Sequence, residues 1–265
     1  MSIAATARIH PSAIVEPGAM VGEGCQIGAY AMVGPEVTLK EGVILQPHAV
    51  VTGWTEVGPG TAVFSFAVVG GIPQDLKYAG ERTRLIVGAR CRIREGATLN
   101  TGTTGGGGIT TVGDDCLFMT GAHVGHDVQV GNRVILANQS ALGGHCIIED
   151  DVIIGGLSGI HQWVRIGRGA IIGAVTMVTN DVIPHGLVQG PRGELDGLNL
   201  VGLRRRGMDR TEITALREAY AELATGSGTF AERAERIASA TQSPAVREVT
   251  QFILGATERS FLTPR

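Results

Sequence analysis

The stretch Val112-Gly-Asp-Asp-Cys-Leu-Phe118-Met-Thr-Gly-Ala-His-Val124-Gly-His-Asp-Val-Gln-Val130 decides the fold, because every sixth residue in it is a large apolar one. Carried forward, the beat falls on Leu136, Leu142, Ile148, Ile154, Ile160, Ile166, Ile172 and Val178. Carried backward it slips by one residue across a glycine run and resumes on Leu99, Ile93 and Val87. After a further gap of two hexads it holds without a miss from Val69 to Ile3. A period of six fits neither the 3.6 of a helix nor the 2 of an ordinary strand. It is the mark of a parallel β-helix, in which each hexad makes one short strand and one tight corner. The aliphatic points into a prism, a small residue four places on packs beside it, and a glycine just after the aliphatic relaxes the turn. Three hexads close a triangular lap of eighteen residues, whose backbone pairs with the laps above and below. Twenty-seven hexads make about nine laps.

The repeat is expected over residues 1–184, interrupted by excursions at 75–86 and 105–111. The first, starting Asp75-Leu-Lys77-Tyr-Ala-Gly80, reads as a polar loop thrown out from one corner. Lys77 stands out there, since Lys40 and Lys77 are the chain's only lysines among 22 basic residues. A compact ammonium suits a phosphate or an ester oxygen, although a solvated loop lysine is the plainer reading. The second excursion, around Gly105-Gly-Gly-Gly108, lacks the Lys-Ser/Thr of a phosphate-binding loop and reads as a flexible corner. Residues 185–265 are expected to hold an irregular linker through Gly207 and then a small helical domain. Helix starts are marked by Asp209, by the Thr229/Glu232 capping box and by Ser243-Pro244.

Composition narrows the function. A net charge of −3 argues against bulk attraction to nucleic acid or membrane. No apolar run reaches membrane-spanning length and no signal-like N-terminus is seen, so a cytoplasmic protein is expected. Cys25, Cys91, Cys116 and Cys146 share the fifth hexad position and read as core fillers, not as a metal or redox set.

Folding the sequence at eighteen residues per lap sets His126 beneath Gly144 and next to His145, with His161 and Gln162 one lap further on and His123 half a hexad away. Such a wall of imidazoles on one corner points to two chemistries. A neutral histidine, steadied by the adjacent Asp127, can take a proton from a hydroxyl that then attacks a thioester, with a backbone N–H at Gly143-Gly144 receiving the oxyanion. Alternatively, three imidazoles can hold zinc and activate water. The company of Asp127 and Gln162 favours hydrogen bonding to a polyol, and no metal or other cofactor is expected. A purely structural β-helix would leave the wall without a purpose.

The motifs Gln74-Asp-Leu-Lys-Tyr-Ala-Gly80, Ala122-His-Val-Gly-His-Asp127, Val130-Gly-Asn-Arg133, Gly143-Gly-His145, His161-Gln162 and the run from Asn199 to Gly207 occur in an order and spacing that resemble the acyl-carrier-protein–UDP-N-acetylglucosamine O-acyltransferase family. The resemblance implies an all-β left-handed parallel β-helix with a small C-terminal α-helical domain. It implies a homotrimer with sites between neighbouring prisms, and the first step of lipid A biosynthesis. The implied donor is a 3-hydroxyacyl-acyl carrier protein. The implied acceptor is UDP-N-acetylglucosamine, with a 3-amino sugar as the alternative. By resemblance, His126 is the general base, Asp127 its support and Gly144 the oxyanion donor. Asp75, Lys77, His123, His145, His161, Gln162, Asn199, Arg205 and Arg206 bind substrate. Three positions depart from the family's usual pattern. Asn100-Thr101 stands for His-Arg, Val201 for a glutamate, and Ala174 for a glycine that sets the depth of the acyl tunnel. The added methyl implies a shorter acyl chain.

Overall fold

The structure is a computed structural model that describes residues 2–264; Met1, at the head of the expected repeat, lies outside them. Its strands form three long parallel sheets, the faces of a prism. The first face runs from Ser2–Ile3 to Arg165–Ile166, the second from Arg8–Ile9 to Ile171–Ile172, and the third from Ile14–Val15 to Met177–Val178. Each face takes nine of these strands, one per lap. The register shows why eighteen is the lap length: His123 pairs with Ala141, Ala141 with Gly159, and Gly159 with Met177. Backbone bonds such as Gly125 N–H to the Leu142 carbonyl (3.0 Å) tie each lap to the next.

The apolar beat lines the inside, where Leu39, Leu45, Leu99, Phe118, Leu136 and Ile154 are fully buried. Ile3 is 39% exposed because no lap lies beneath it. The four cysteines are free and buried in the fifth position, and burial pushes the Cys146 thiol up to about 12, which makes it an inert filler.

The corner glycines work differently from expectation. The glycine after the aliphatic, as at Gly22, Gly58 and Gly125, is not the left-handed residue; Gly70, at the edge of the first excursion, is an exception. A side chain at Gly58 would stand 2.5 Å from the Gly88 backbone, so this position serves close approach between laps. The left-handed turn falls two places later, on residues such as Gly24, Gly42 and Gly60 and, at a steric cost, on Tyr30, Asp127, His145 and Trp163.

Both excursions begin and end a few residues earlier than the sequence suggested. The first lies between Gly71 and Arg84, the second between Asn100 and Ile109. Arg84–Val87 and Ile109–Val112 are four-residue strands paired with each other, and the former also pairs with Trp54–Val57. Chain returning from a thrown-out loop re-enters the first face early and extends the strand. Arg82 fastens the first excursion to the prism, pairing with Glu36 (2.8 Å) and lying 3.8 Å over the Trp54 ring.

The expected irregular linker is ordered. Gly186–Gln189 extends the second face, Glu194–Leu198 pairs with it antiparallel, and a helix α1 spans Leu200–Arg205. Three helices follow: α2 (Arg210–Thr225), α3 (Phe230–Ala240) and α4 (Pro244–Leu254), capped by Asp209, Thr229 and Ser243. Among the described residues no helix is long and apolar enough to cross a membrane. The tail then returns to the prism at Asp181. The Asp181 carboxylate accepts bonds from Arg165 Nε (2.7 Å) and Thr257 Oγ1 (2.6 Å), while its backbone pairs with Ser260 and Leu262.

Because each lap supports its neighbours, a cavity in the middle of the stack has little room to relax. Leu136→Ala is expected to lower unfolding stability by about 2–5 kcal/mol, measurable as a fall in denaturation midpoint.

Candidate active site

The histidines meet on the corner between the third and first faces. His126 is 6% exposed, and its Nδ1–H donates to Asp127 Oδ2 at 2.8 Å. That bond leaves Nε2 as the acceptor nitrogen. Asp127 has a fully buried side chain and a left-handed backbone (φ +59°). Three donors hold its carboxylate: Oδ1 accepts the Thr103 N–H (2.8 Å), and Oδ2 accepts both Thr103 Oγ1 (2.6 Å) and His126. The Asp127 N–H donates in turn to Thr110 Oγ1 at 2.8 Å.

The glycine run explains this burial. It is not a flexible corner: Thr104–Gly106 forms a 3₁₀ turn laid directly on the carboxylate. A side chain at Gly106 would collide with Asp127 Cγ, and one at Gly102 would stand 2.7 Å from Oδ1. Thr103, Thr110 and Gly102 were not singled out in the sequence, and Gly106 was read only as part of a flexible corner; the clue was the seven-residue insertion in the repeat just before the His-Asp pair.

His145, one lap above Asp127, crosses the His126 ring edge-on at 5.0 Å and stacks flat on Trp163 at 3.8 Å. His123 bonds Thr98 Oγ1 at 2.8 Å. His161 and Gln162 are exposed on the same corner, and Arg259 reaches both. A cavity of about 490 Å³ joins these groups; its polar lining includes Gln74, Asn100, His123, His126, His161 and Gln162, its apolar lining Ala141, Leu142, Ile160 and Met177. Gly144 also lines it. A side chain there would come within 2.6 Å of His126 Nε2, and among the described residues the Gly144 N–H has no acceptor. The first excursion closes one end. Asp75 accepts the Lys77 N–H (2.9 Å), and its charge is felt at His145. Lys77 is exposed, with no ion-pair partner among the described residues.

Four expected residues lie elsewhere. Asn199 caps α1, accepting the Gly202 N–H (2.9 Å) and donating to the Gly169 carbonyl (3.0 Å). Arg206 lies against Gly169 and Arg205 is exposed nearby on α1. That corner joins the first and second faces. Ala174 is exposed on the third corner, between the second and third faces, and does not line the histidine cavity.

The nitrogens of His126 and His145 and an oxygen of Asp127 lie within 4.8 Å of one another, close enough to suggest a metal. The donor chemistry fits poorly, because the Asp127 oxygens are already taken by three hydrogen-bond donors and His126 Nδ1 is spent on that carboxylate.

Burial pushes the His123 and His145 imidazoles below the usual histidine range; nearby His126 adds to this, while Asp127 opposes it at His145. Both rings therefore bind fewer protons folded than unfolded. Their contribution is complete above the unfolded pKa of about 6.5 and is lost as pH falls through the lower folded values. Melting temperature is expected to drop between about pH 7 and 5.5, and His123→Gln to flatten that slope.

Comparison with known proteins finds relatives along the whole chain. A family described as UDP N-acetylglucosamine O-acyltransferase, domain 2, matches residues 181–262, and bacterial transferase hexapeptide repeats match 18–53 and 109–144. The acyl-[acyl-carrier-protein]–UDP-N-acetylglucosamine O-acyltransferase of Paracoccus denitrificans is 66% identical over 76% of this chain and 77% of its own length. The Rhizobium johnstonii protein of the same name is 48% identical over 99% of this chain and 97% of its own. The solved UDP-N-acetylglucosamine acyltransferase from Campylobacter jejuni superposes with a TM-score of 0.92 at 37% identity, covering 97% of this chain and all of that one. The shared fold is the left-handed parallel β-helix with a small helical end. At these identities and coverages the chain belongs to the acyl-[acyl-carrier-protein]–UDP-N-acetylglucosamine O-acyltransferases.

Proposed function

We propose that the chain transfers a 3-hydroxyacyl group from acyl carrier protein to the 3-hydroxyl of UDP-N-acetylglucosamine, opening lipid A biosynthesis. The observation that carries this is the buried His126–Asp127 pair facing an unspent Gly144 N–H across one cavity. His126 Nε2 takes the proton of the sugar hydroxyl as its oxygen attacks the thioester carbon. The carbonyl oxygen becomes an oxyanion at the Gly144 N–H, where a preformed donor is worth most in a site shielded from water. Asp127, already oriented by Thr103, stabilises the imidazolium without taking its proton. Collapse breaks the C–S bond, and His126 returns the proton to the departing thiolate.

The polar part of the cavity suits the sugar and the apolar part the first carbons of the chain. Lys77, an unpaired cation on the excursion, suits the substrate's phosphates or the thioester oxygen. Asn199, Arg205 and Arg206 stand on a different corner from His126, so one prism does not assemble both halves of a sugar-nucleotide site. A homotrimer, with the Arg corner of one copy against the histidine corner of the next, completes it. For Ala174, on the third corner, the role of acyl-tunnel floor rests on the family resemblance alone. Both substrates place the reaction in the cytoplasm. A 3-amino acceptor would use the same geometry, and the mass of the product separates the two.

His126→Ala is expected to lower kcat by about 10²–10⁴-fold with little change in KM for the sugar nucleotide. Steady-state turnover checks this, and a variant retaining more than about a tenth of wild-type kcat would remove His126 as the base. A donor series of 3-hydroxyacyl-acyl carrier proteins is expected to peak at a shorter chain than for Ala174→Gly; the same optimum in both proteins would take Ala174 out of the role.

A further inference from the structure

Through the Arg259 side chain the C-terminal tail reaches His161 and Gln162, which line the substrate cavity. Arg259 Nη2 lies 2.7 Å from His161 Nδ1 and Arg259 Nε 3.1 Å from the Gln162 carbonyl, across 98 and 97 residues of sequence. The tail is not there by chance. Asp181, whose side chain is fully buried, occupies the lap above Trp163 on the histidine corner and fastens the tail at Thr257, Ser260 and Leu262, on both sides of Arg259. Phe261 packs against Phe230 and Phe252 and keeps the segment down.

A guanidinium carries only donors. Its contact with Nδ1 therefore requires Nδ1 to be the bare nitrogen of His161, which leaves the ring hydrogen on Nε2. The Gln162 carbonyl lies 3.2 Å from the same Nδ1 and would select the opposite tautomer, with Nδ1–H donating to it and Nε2 bare. Arg259 removes that competitor by donating to the carbonyl itself. The choice bears on the cavity, because His161 lines it together with His126 and Gly144, and among the described residues Nε2 has no partner.

We propose that Arg259 is a positioning residue that fixes His161 as a hydrogen-bond donor, so that Nε2–H meets an acceptor oxygen of the bound sugar nucleotide. Without Arg259 the ring turns an acceptor toward that oxygen. The damage then exceeds one lost contact, since two lone pairs face each other. The inference rests on the acyl-transfer reading above.

The test is steady-state kinetics of the full-length enzyme at saturating 3-hydroxyacyl-acyl carrier protein with UDP-N-acetylglucosamine varied. Wild type, Arg259→Ala, Arg259→Lys, His161→Ala and the Arg259→Ala/His161→Ala double variant are compared. Arg259→Ala is expected to raise KM about tenfold with kcat within about twofold of wild type and an unchanged melting temperature. Arg259→Lys, which keeps a donor, loses less, and the double variant is no worse than His161→Ala alone. An unmoved KM, a double variant whose defect is the product of the two single ones, or a melting temperature and kcat that fall together would each overturn the assignment. Failure of wild type to acylate this acceptor is a separate pattern. It would sink the functional reading and this inference with it.

Discussion

In-register pairing of parallel strands is the constraint from which the rest follows. A residue eighteen places along stands directly over its predecessor, and the hydrogen bonds that enforce this run through every lap. Side chains at the corners are thereby held at a fixed spacing on a stiff column. The histidine corner uses that stiffness. Asp127, His145, Trp163 and Asp181 form one such column; the middle two rings stack and the last acid anchors the tail. Pre-organisation of this kind is what a proton-transfer site needs, since the base and its support must be set before the substrate arrives.

A strictly periodic prism would leave its corners open to water. Both departures from the period fall at the corner between the third and first faces, on successive laps just beneath His126. One insertion lies across the end of the cavity and brings Asp75 near His145. The other wraps Asp127 and leaves its carboxylate no contact with water. Thr104 Oγ1 bonds Glu81 at 3.3 Å, so the two insertions also meet each other. The lining that the regular repeat cannot supply is made where the repeat is broken.

This division explains what could be read from the sequence. The lap count, the inward beat and the meeting of His126 with His145 follow from arithmetic on a period, and arithmetic survives without a structure. Helix starts at Asp209, Thr229 and Ser243 were legible because capping is local chemistry. Thr103 and Gly106 were not, because a loop of one lap meets Asp127 of the next only through the slip in register. The true edges of the excursions were hidden too: Arg84-Leu-Ile and Ile109-Thr-Thr alternate as strands do, but they precede the beat rather than carry it. Arg259 was out of reach for a third reason, since its partner lies nearly a hundred residues away and only the fold of the helical tail joins them.

The distribution of charge separates the corners further. Between the first and second faces, Arg90 pairs with Asp115, Arg133 with Asp151 and Arg168 with Asp150, one lap after another. Exposed pairs of this sort add little stability individually. Their larger consequence is that these arginines are occupied: Arg90, Arg133 and Arg168 face four aspartates, Asp114, Asp115, Asp150 and Asp151, and have little attraction left for another anion. Among the described residues, Arg205 on α1 and Lys77 on the first excursion have no such partner. In a chain of net charge −3, Arg205 and Lys77 are among the cations that a polyanionic substrate can meet without displacing a carboxylate. These stand on two different corners, which is the electrostatic form of the argument for a site closed by two copies of the chain.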